Sequence, residues 1–333
     1  MEGGRGIAGA TVSVQHNLRS NQLERQGLGR ESASSGGGDL PAAVAGLRGE
    51  VKFNVSLRDL TSLRIGGPAD ALVVPEDVQD LCRLVKQARS AHVPLFVLGG
   101  TTLLIREGGL RGIVVSLSKF NAIQKEGTQV LYAEAGVRMP TLLGHVISCS
   151  LSGLEWAAGI PGTVGGAVIM NAGTHLGEMK DCLQAIRLVD PKGRVVKCSA
   201  SSISFTYRRG VVPAGIVVGA WFSLTPAPKP KIESTTKSYL RYRKATQPLT
   251  RPNAGSVFKN PPHTSAGKLI EEAGLKGARV GDAQVSHKHA NFIINVGQAR
   301  ATDVVVLIKK IQQTVFQQTG VTLELEWKIV GDS

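Results

Sequence analysis

The sequence predicts an α+β protein of several units, and three observations support this prediction. Short apolar runs of strand-like composition recur along the chain, as at residues 95–98 and 112–117. Segments with apolar residues at helical spacing lie among them, as at 78–88 and 302–318. A proline-rich break at 225–230 separates the last third of the 333 residues from the rest. A chain of this length can bury the cores of two or three domains.

The composition argues against several classes of protein. Apolar residues make up 42% and charged residues 19% of the chain, and the apolar runs are far shorter than the ~20 residues that cross a bilayer, so we expect no membrane insertion. The N-terminus lacks the basic and apolar regions of a secretory signal, which favours a cytoplasmic protein. The four cysteines have no metal-binding spacing, so we expect free thiols and no metal site.

The net charge of +14 predicts an anionic partner. Nucleic acid and small polyphosphorylated ligands would both fit, and a generally basic surface is the alternative. The lysines and arginines are scattered and are not interleaved with aromatic residues, so we expect phosphate-bearing ligands and no nucleic acid.

Residues 1–45 are rich in Gly, Ser and Arg and lack apolar periodicity, which predicts a disordered tail with structure beginning near 47–51. The first folded unit is assigned to residues 46–118. It should contain strands at 71–74, 95–98 and 112–117, a helix that begins at Pro75, and a glycine loop at 99–105 directly after the second strand.

The second unit is assigned to residues 119–227. Its predicted elements are a strand at 130–135, a helix at 140–147, a hairpin of strands at 185–189 and 195–197, and a strand at 216–224.

The third unit is assigned to residues 228–333. Its predicted elements are a short helix from 266 that is stopped by Gly274, a strand at 284–295, a helix at 302–318 ended by Gly320, and an alternating strand at 321–329. The strand at 284–295 would place His287 and His289 on one face, which is at most half of a metal site.

Residues 160–173 contain four glycines and one proline interleaved with small apolar residues. Glycine lets the backbone approach another group closely. The stretch therefore fits two interpretations: a cradle for a large flat ligand with phosphates, or a tight packing turn between two elements.

Three polar residues are candidates for chemistry. Ser256 lies between glycine and proline in 255–261, but Ala254 and Phe258 rule out the hydrolase elbow, so it is a proton donor or an ordinary turn serine. Glu326 lies on the polar face of the last predicted strand, where it is an acid or base in a cleft or a solvated carboxylate. Arg208 could bind a carboxylate through two parallel bonds or could be a surface arginine.

Six segments, in order over residues 47–331, resemble the UDP-N-acetylenolpyruvoylglucosamine reductase (MurB) family, in its shorter subclass. They are Ser62-Leu-Arg-Ile-Gly-Gly-Pro-Ala69, the glycine-rich stretch at 160–173, Tyr207-Arg208, Gly255-Ser-Val-Phe-Lys-Asn-Pro261, residues 266–277, and Leu323-Glu-Leu-Glu-Trp-Lys-Ile-Val-Gly331. One such segment would be weak evidence, whereas six in order are highly specific.

The resemblance implies a two-part FAD-binding unit of the PCMH/vanillyl-alcohol-oxidase type and a C-terminal α/β substrate-binding domain. It implies an FAD enzyme that uses NADPH to reduce UDP-N-acetylglucosamine enolpyruvate in peptidoglycan precursor synthesis, as a monomer in the bacterial cytoplasm. The alternatives are another PCMH-type FAD oxidase, a flavin-less homologue that does not catalyse, and a basic nucleic-acid-binding protein.

The resemblance also implies roles for individual residues. Ser256 matches the proton donor, and Arg208 and Glu326 match the residues that polarise the enolpyruvyl group. The implied FAD contacts are Gly99, Gly100, Thr101, Thr102, Leu103, Gly136, Pro161, Gly162, Thr163, Gly165, Gly166, Asn171 and Ile216. The implied substrate contacts are Tyr207, Lys259, Asn260, Lys276 and His289.

One loop departs from the family. The family usually has Gly-x-Gly-Ser-Asn where this chain has Gly99-Gly100-Thr101-Thr102, one residue shorter and without asparagine. The threonine hydroxyls could replace the missing donors, or the shorter loop could weaken flavin binding.

Overall fold

The computed structural model describes residues 38–333, so most of the predicted tail lies outside the described residues. The first part of the fold is a mixed sheet with strand order β1-β2-β5-β3, in which β1 is antiparallel and the others are parallel. Its elements are α1 (Leu40–Val44), β1 (Glu50–Ser56), β2 (Pro68–Val74), α2 (Val78–Ser90), β3 (Leu95–Leu98), β4 (Leu103–Ile105) and β5 (Leu110–Ser116).

The predicted tail extends too far, because α1 lies within it. The side chain of Asp39 accepts a hydrogen bond from the backbone N–H of Ala42 at 3.0 Å, which caps the helix. Ala43 is fully buried in a core cluster that also contains Leu84 and Val115. Order therefore begins before residue 45, because a cap and one buried methyl group anchor this short helix.

The middle part of the fold is an antiparallel sheet with strand order β12-β11-β15-β7-β6, with α3 and α4 packed near it. Its elements are β6 (Ile123–Glu126), β7 (Val130–Glu134), α3 (Met139–Ser148), β8 (Leu151–Ser152), α4 (Val164–Ile169), β9 (Gly173–Thr174), β10 (Gly177–Glu178), β11 (Leu183–Val189), β12 (Val195–Ser199), β13 (Ser204–Thr206), β14 (Arg209–Val211), β15 (Ile216–Ser223) and β16 (Thr225–Pro226).

The C-terminal part is an antiparallel sheet with strand order β17-β20-β19-β18, and two helices pack with it. Its elements are α5 (Lys229–Thr246), β17 (Asn253–Ser256), α6 (Ala266–Glu272), β18 (Arg279–Val280), β19 (Ala283–Val285), β20 (Phe292–Asn295), α7 (Ala301–Thr319) and β21 (Lys328–Val330). The predicted apolar face of α7 is buried, and Gly320 ends the helix with φ 72°.

Two strand predictions in this part are wrong. The single strand predicted at 284–295 is a hairpin of β19 and β20, so His287 and His289 lie in the turn between them and share no strand face. The buried Asn291 holds this turn through bonds to the backbone N–H and C=O of Phe258, at 3.0 and 2.8 Å. The terminal strand is regular only in β21, because residues 321–327 make just one isolated bridge, from Leu325 to Phe258.

Contacts between the parts cross the predicted unit boundaries. β21 pairs in parallel with β4, which belongs to the first part. Helix α5 packs Tyr239 and Leu240 against the core of the middle part. The boundaries 46–118, 119–227 and 228–333 therefore remain predictions. Within residues 38–333, no helix is long and apolar enough to span a membrane.

Candidate active site

A cavity of about 690 Å³ is lined by the loop between β3 and β4, the start of α4, and β21. This volume is in the usual range for a site that binds a cofactor or small molecule. The cavity is lined by most of the residues that the resemblance assigned to FAD, which are Gly99, Gly100, Thr101, Thr102, Leu103, Gly136, Pro161, Gly162, Thr163, Gly165, Gly166 and Ile216.

The glycine-rich stretch packs tightly against the loop between β3 and β4, and several of its residues also line the cavity. At Gly166 an added Cβ would lie 2.4 Å from the carbonyl oxygen of Gly99, so this glycine permits tight backbone packing. The hydroxyl of Thr163 also donates to the oxygen of Gly99, at 3.1 Å. At Gly100, in contrast, an added Cβ would meet no protein atom within 4 Å.

The shortened loop has the donor chemistry that a pyrophosphate requires. The backbone N–H groups of Gly100 and Thr101 donate to no acceptor among residues 38–333. Unpaired N–H groups beside a cavity can bind phosphate oxygens. The side chains of Thr101 and Thr102 line the same wall and add hydroxyl donors. The residues present therefore fit FAD despite the missing asparagine.

Asn171 does not line this cavity, although the resemblance placed it among the FAD contacts. It is fully buried, and its side chain bonds to Glu178, to the backbone oxygen of Thr206 and to the backbone N–H of Lys180. A side chain whose polar atoms are all used inside the protein has none left for a ligand.

Lys328 is a wall residue that our sequence reasoning missed. Burial is the main cause that lowers the pKa of its ammonium group, and the nearby charge of Arg209 lowers it further. The alternating pattern placed Lys328 on the same face as Glu326, so that shared face was the available signal.

Arg208 and Glu326 form a mostly buried ion pair. Arg208 lies in the turn between β13 and β14 with φ 57°, and its Nε atom is 3.4 Å from Oε1 of Glu326. The two side chains are 18% and 10% exposed. Burial raises the pKa of Glu326 to about 7, while the charges of Arg208 and Lys259 oppose this rise. The carboxyl group can therefore exchange a proton near neutral pH.

A backbone hydrogen bond links the segment that contains Ser256 to this ion pair. Ser256 ends β17, and the carbonyl oxygen of the next residue, Val257, accepts a hydrogen bond from the N–H of Glu326 at 2.9 Å. Gly255 precedes it with φ 78°, a conformation that favours glycine. The structure thus brings the segments of all three predicted catalytic residues together.

Three of the predicted substrate residues gather around α6. The side-chain oxygen of Asn260 accepts from the N–H of Ala266 at 3.1 Å. The ring of His289 lies so close to Gly267 that an added Cβ there would be 3.1 Å from Cε1. Lys276 is ion-paired with Glu271 of α6, and burial and then the charge of Lys276 lower the pKa of His289.

The other two predicted substrate residues lie near the ion pair. The guanidinium carbon of Arg208 is 4.9 Å from the centre of the Tyr207 ring, and Tyr207 is otherwise exposed. Lys259 is ion-paired with Glu324 and also contributes charge at Glu326.

The fold and this cavity define a protein with an FAD-binding unit and a separate C-terminal domain. A sequence model described as "FAD binding domain" matches residues 69–199, and one described as "UDP-N-acetylenolpyruvoylglucosamine reductase, C-terminal domain" matches residues 247–330. These matches confirm the expected combination of units, and FAD is the cofactor.

The chain belongs to the UDP-N-acetylenolpyruvoylglucosamine reductase family. It is 45% identical to the family member of Syntrophus aciditrophicus over 290 residues, which covers 85% of this chain and 93% of that protein. It is 45% identical to the member of Moorella thermoacetica over 289 residues, with 86% and 95% covered. The crystal structure of MurB from Thermus caldophilus is similar at a TM-score of 0.74 and 39% identity, covering 86% of this chain and all of that one.

Proposed function

We propose that this protein uses NADPH to reduce UDP-N-acetylglucosamine enolpyruvate to UDP-N-acetylmuramate, in peptidoglycan precursor synthesis. The observation that carries the proposal is the Arg208–Glu326 pair, buried beside the strand that ends in Ser256. The names of the relatives support the same reaction.

The proposed reaction needs the charges that these residues supply. Two electrons and a proton from NADPH enter the enol ether as a hydride, and a second proton from the protein completes the saturated lactyl ether. Hydride addition to an alkene conjugated with a carboxylate builds negative charge on that carboxylate. We assign the stabilisation of this charge to the guanidinium of Arg208, which lies beside Glu326 in the ion pair.

The second proton requires a donor group that the protein holds in a fixed position. We assign this role to the Ser256 hydroxyl, and Glu326 has a pKa of about 7, so it can hold or release a proton near neutral pH. When bound, FAD supplies the hydride chemistry. We assign its binding to the loop at 99–103 and the start of α4, which line the cavity described above.

We assign the contacts with the UDP-sugar to Lys259, Asn260, Lys276 and His289, with Tyr207 at the ion pair. We further propose that the enzyme acts as a monomer in the bacterial cytoplasm. Gel filtration tests whether the enzyme is a monomer.

One preparation tests the proposed function. The purified protein should carry a flavin spectrum, and NADPH oxidation should require UDP-N-acetylglucosamine enolpyruvate in equal amounts. A protein that stays colourless and inactive after FAD addition would be a flavin-less homologue. A flavin that consumes oxygen without this substrate would indicate an oxidase.

A further inference from the structure

Asn171 lies just after α4, and its side chain links three segments. Its Nδ2 atom donates to the backbone oxygen of Thr206 at 3.2 Å and to Oε2 of Glu178 at 2.8 Å. Its Oδ1 atom accepts from the backbone N–H of Lys180 at 3.0 Å. Because the residue has no exposed surface and both polar atoms of its amide are bonded within the protein, its position is fixed.

Thr206 is the last residue of β13, and the turn that follows it carries Arg208. Among the described residues, β13 and β14 pair only with each other, over three residue pairs. A hairpin of this size is marginal by itself, so other contacts must hold it. On β14, Gly210 packs against α4 so closely that an added Cβ would lie 2.7 Å from the oxygen of Val168.

We propose that Asn171 is the positioning residue for Arg208, since its bond to Thr206 fixes the turn from which Arg208 reaches Glu326. The proposal rests on the function proposed above and assigns Asn171 no contact with substrate or cofactor. Arg208 has φ 57°, and a residue other than glycine keeps such a conformation only where its surroundings hold it. The bond from Asn171 supplies such a restraint two residues before Arg208.

The Asn171→Asp variant tests this role. Aspartate keeps the shape, tolerates the left-handed φ of 42° and retains an oxygen for Lys180, but it loses the donor to Thr206 and the donor to Glu178, whose carboxylate it then faces. We expect kcat for enol ether reduction to fall about 100-fold, as for a catalytic group displaced by about 1 Å, while NADPH still reduces the bound flavin. Gly210→Ala disturbs the other strand of the hairpin and should have the same effect.

The dependence of kcat on pH distinguishes a positioning role for Asn171 from a general loss of structure. Arg208 and Lys259 are the charged groups that lower the pKa of Glu326, so displacing Arg208 should raise that pKa above about 7. Arg208→Met should raise it as well, and adding Asn171→Asp to that variant should raise it no further. Additive shifts, or no shift in Asn171→Asp, would overturn the proposal.

The matched control is Asn295→Asp. Asn295 is also a buried asparagine, which donates to the oxygen of Leu63 at 3.1 Å and accepts from the N–H groups of Gly297 and Ala299. The Asn295→Asp variant should be less stable than the native protein, but the dependence of its kcat on pH should not shift.

Hydrogen exchange provides a readout that does not depend on turnover. Residues 204–211 should exchange faster in Asn171→Asp and not in Asn295→Asp. Equal exchange in both variants would refute the positioning role even if the proposed reaction holds. Faster exchange in Asn171→Asp would support it even if the substrate is a different one.

Discussion

The backbone of Gly166 packs directly against the carbonyl oxygen of Gly99, at a distance that leaves no room for a Cβ. This contact joins α4 to the loop between β3 and β4, and both segments line the cofactor cavity. The loop and the helix must therefore keep this spacing for the cavity to keep its shape.

Gly166→Ala should therefore damage the cavity. We expect the free energy of unfolding to fall by about 1–3 kcal/mol, because the backbone must shift to admit the methyl group. The variant should also lose FAD on gel filtration, measured as the ratio of flavin to protein absorbance.

Gly144→Ala is the control for this change. Gly144 lies on the exposed side of α3, where an added Cβ meets nothing within 4 Å, so alanine should raise stability by up to about 1 kcal/mol. If Gly166→Ala retains both stability and flavin, the contact with Gly99 is not needed.

The raised pKa of Glu326 predicts a pH-dependent stability. The carboxyl group has a pKa of about 7 in the folded protein against an ordinary value of 4.5, so the folded state binds the proton more tightly. Its contribution therefore favours folding at low pH and is lost as the pH rises through about 7.

Glu326→Gln removes this titration. The stability of the variant relative to the native protein should increase between pH 4 and pH 8, by on the order of 3 kcal/mol. Denaturant unfolding of both proteins across this range measures the difference. A difference that does not change with pH would contradict the assigned pKa.

Ser256→Ala should separate the two halves of the reaction. We expect NADPH to reduce the bound flavin at the native rate, while reoxidation by the enol ether slows by about 10²–10⁴-fold, because the proton donor is missing. Stopped-flow absorbance of the flavin records both steps. Ser199→Ala, at the end of β12, should change neither step, and near-native reoxidation in Ser256→Ala would rule out the donor role.

Lys328→Met should weaken FAD binding by about tenfold, since the variant removes a cation from the cavity wall. Titration of the apoprotein with FAD, followed by fluorescence, measures the dissociation constant. Lys237→Met removes a lysine of α5 that is 72% exposed and should leave the constant unchanged. Equal constants for all three proteins would place Lys328 away from the cofactor.

Local patterns predicted the elements well where the sequence signals agree. For α7, the apolar spacing and the terminal Gly320 point to the same helix, and both are confirmed. The strand predicted at 284–295 is wrong because its turn contains neither glycine nor proline and is held by distant bonds from Asn291 to Phe258.

The arrangement of the site depends on long-range contacts. No local pattern shows that Arg208 meets Glu326 more than a hundred residues later, and the family resemblance assigned both residues to the enolpyruvyl group without predicting their ion pair. The same resemblance placed Asn171 at the cofactor, whereas its burial and bonds assign it to the protein interior. The position of Asn171 in the motif could not show whether its side chain contacts a ligand or is bonded inside the protein.

The pairing of β21 with β4 joins two wall segments that lie far apart in the sequence. Leu103 and its partner Lys328 leave the ribosome more than two hundred residues apart, and Lys328 and Val330 each form part of the cavity wall. A nascent chain that has already emerged past α4 therefore still has an open cofactor cavity. The wall of the cavity is therefore complete only once the chain has been synthesised as far as Val330.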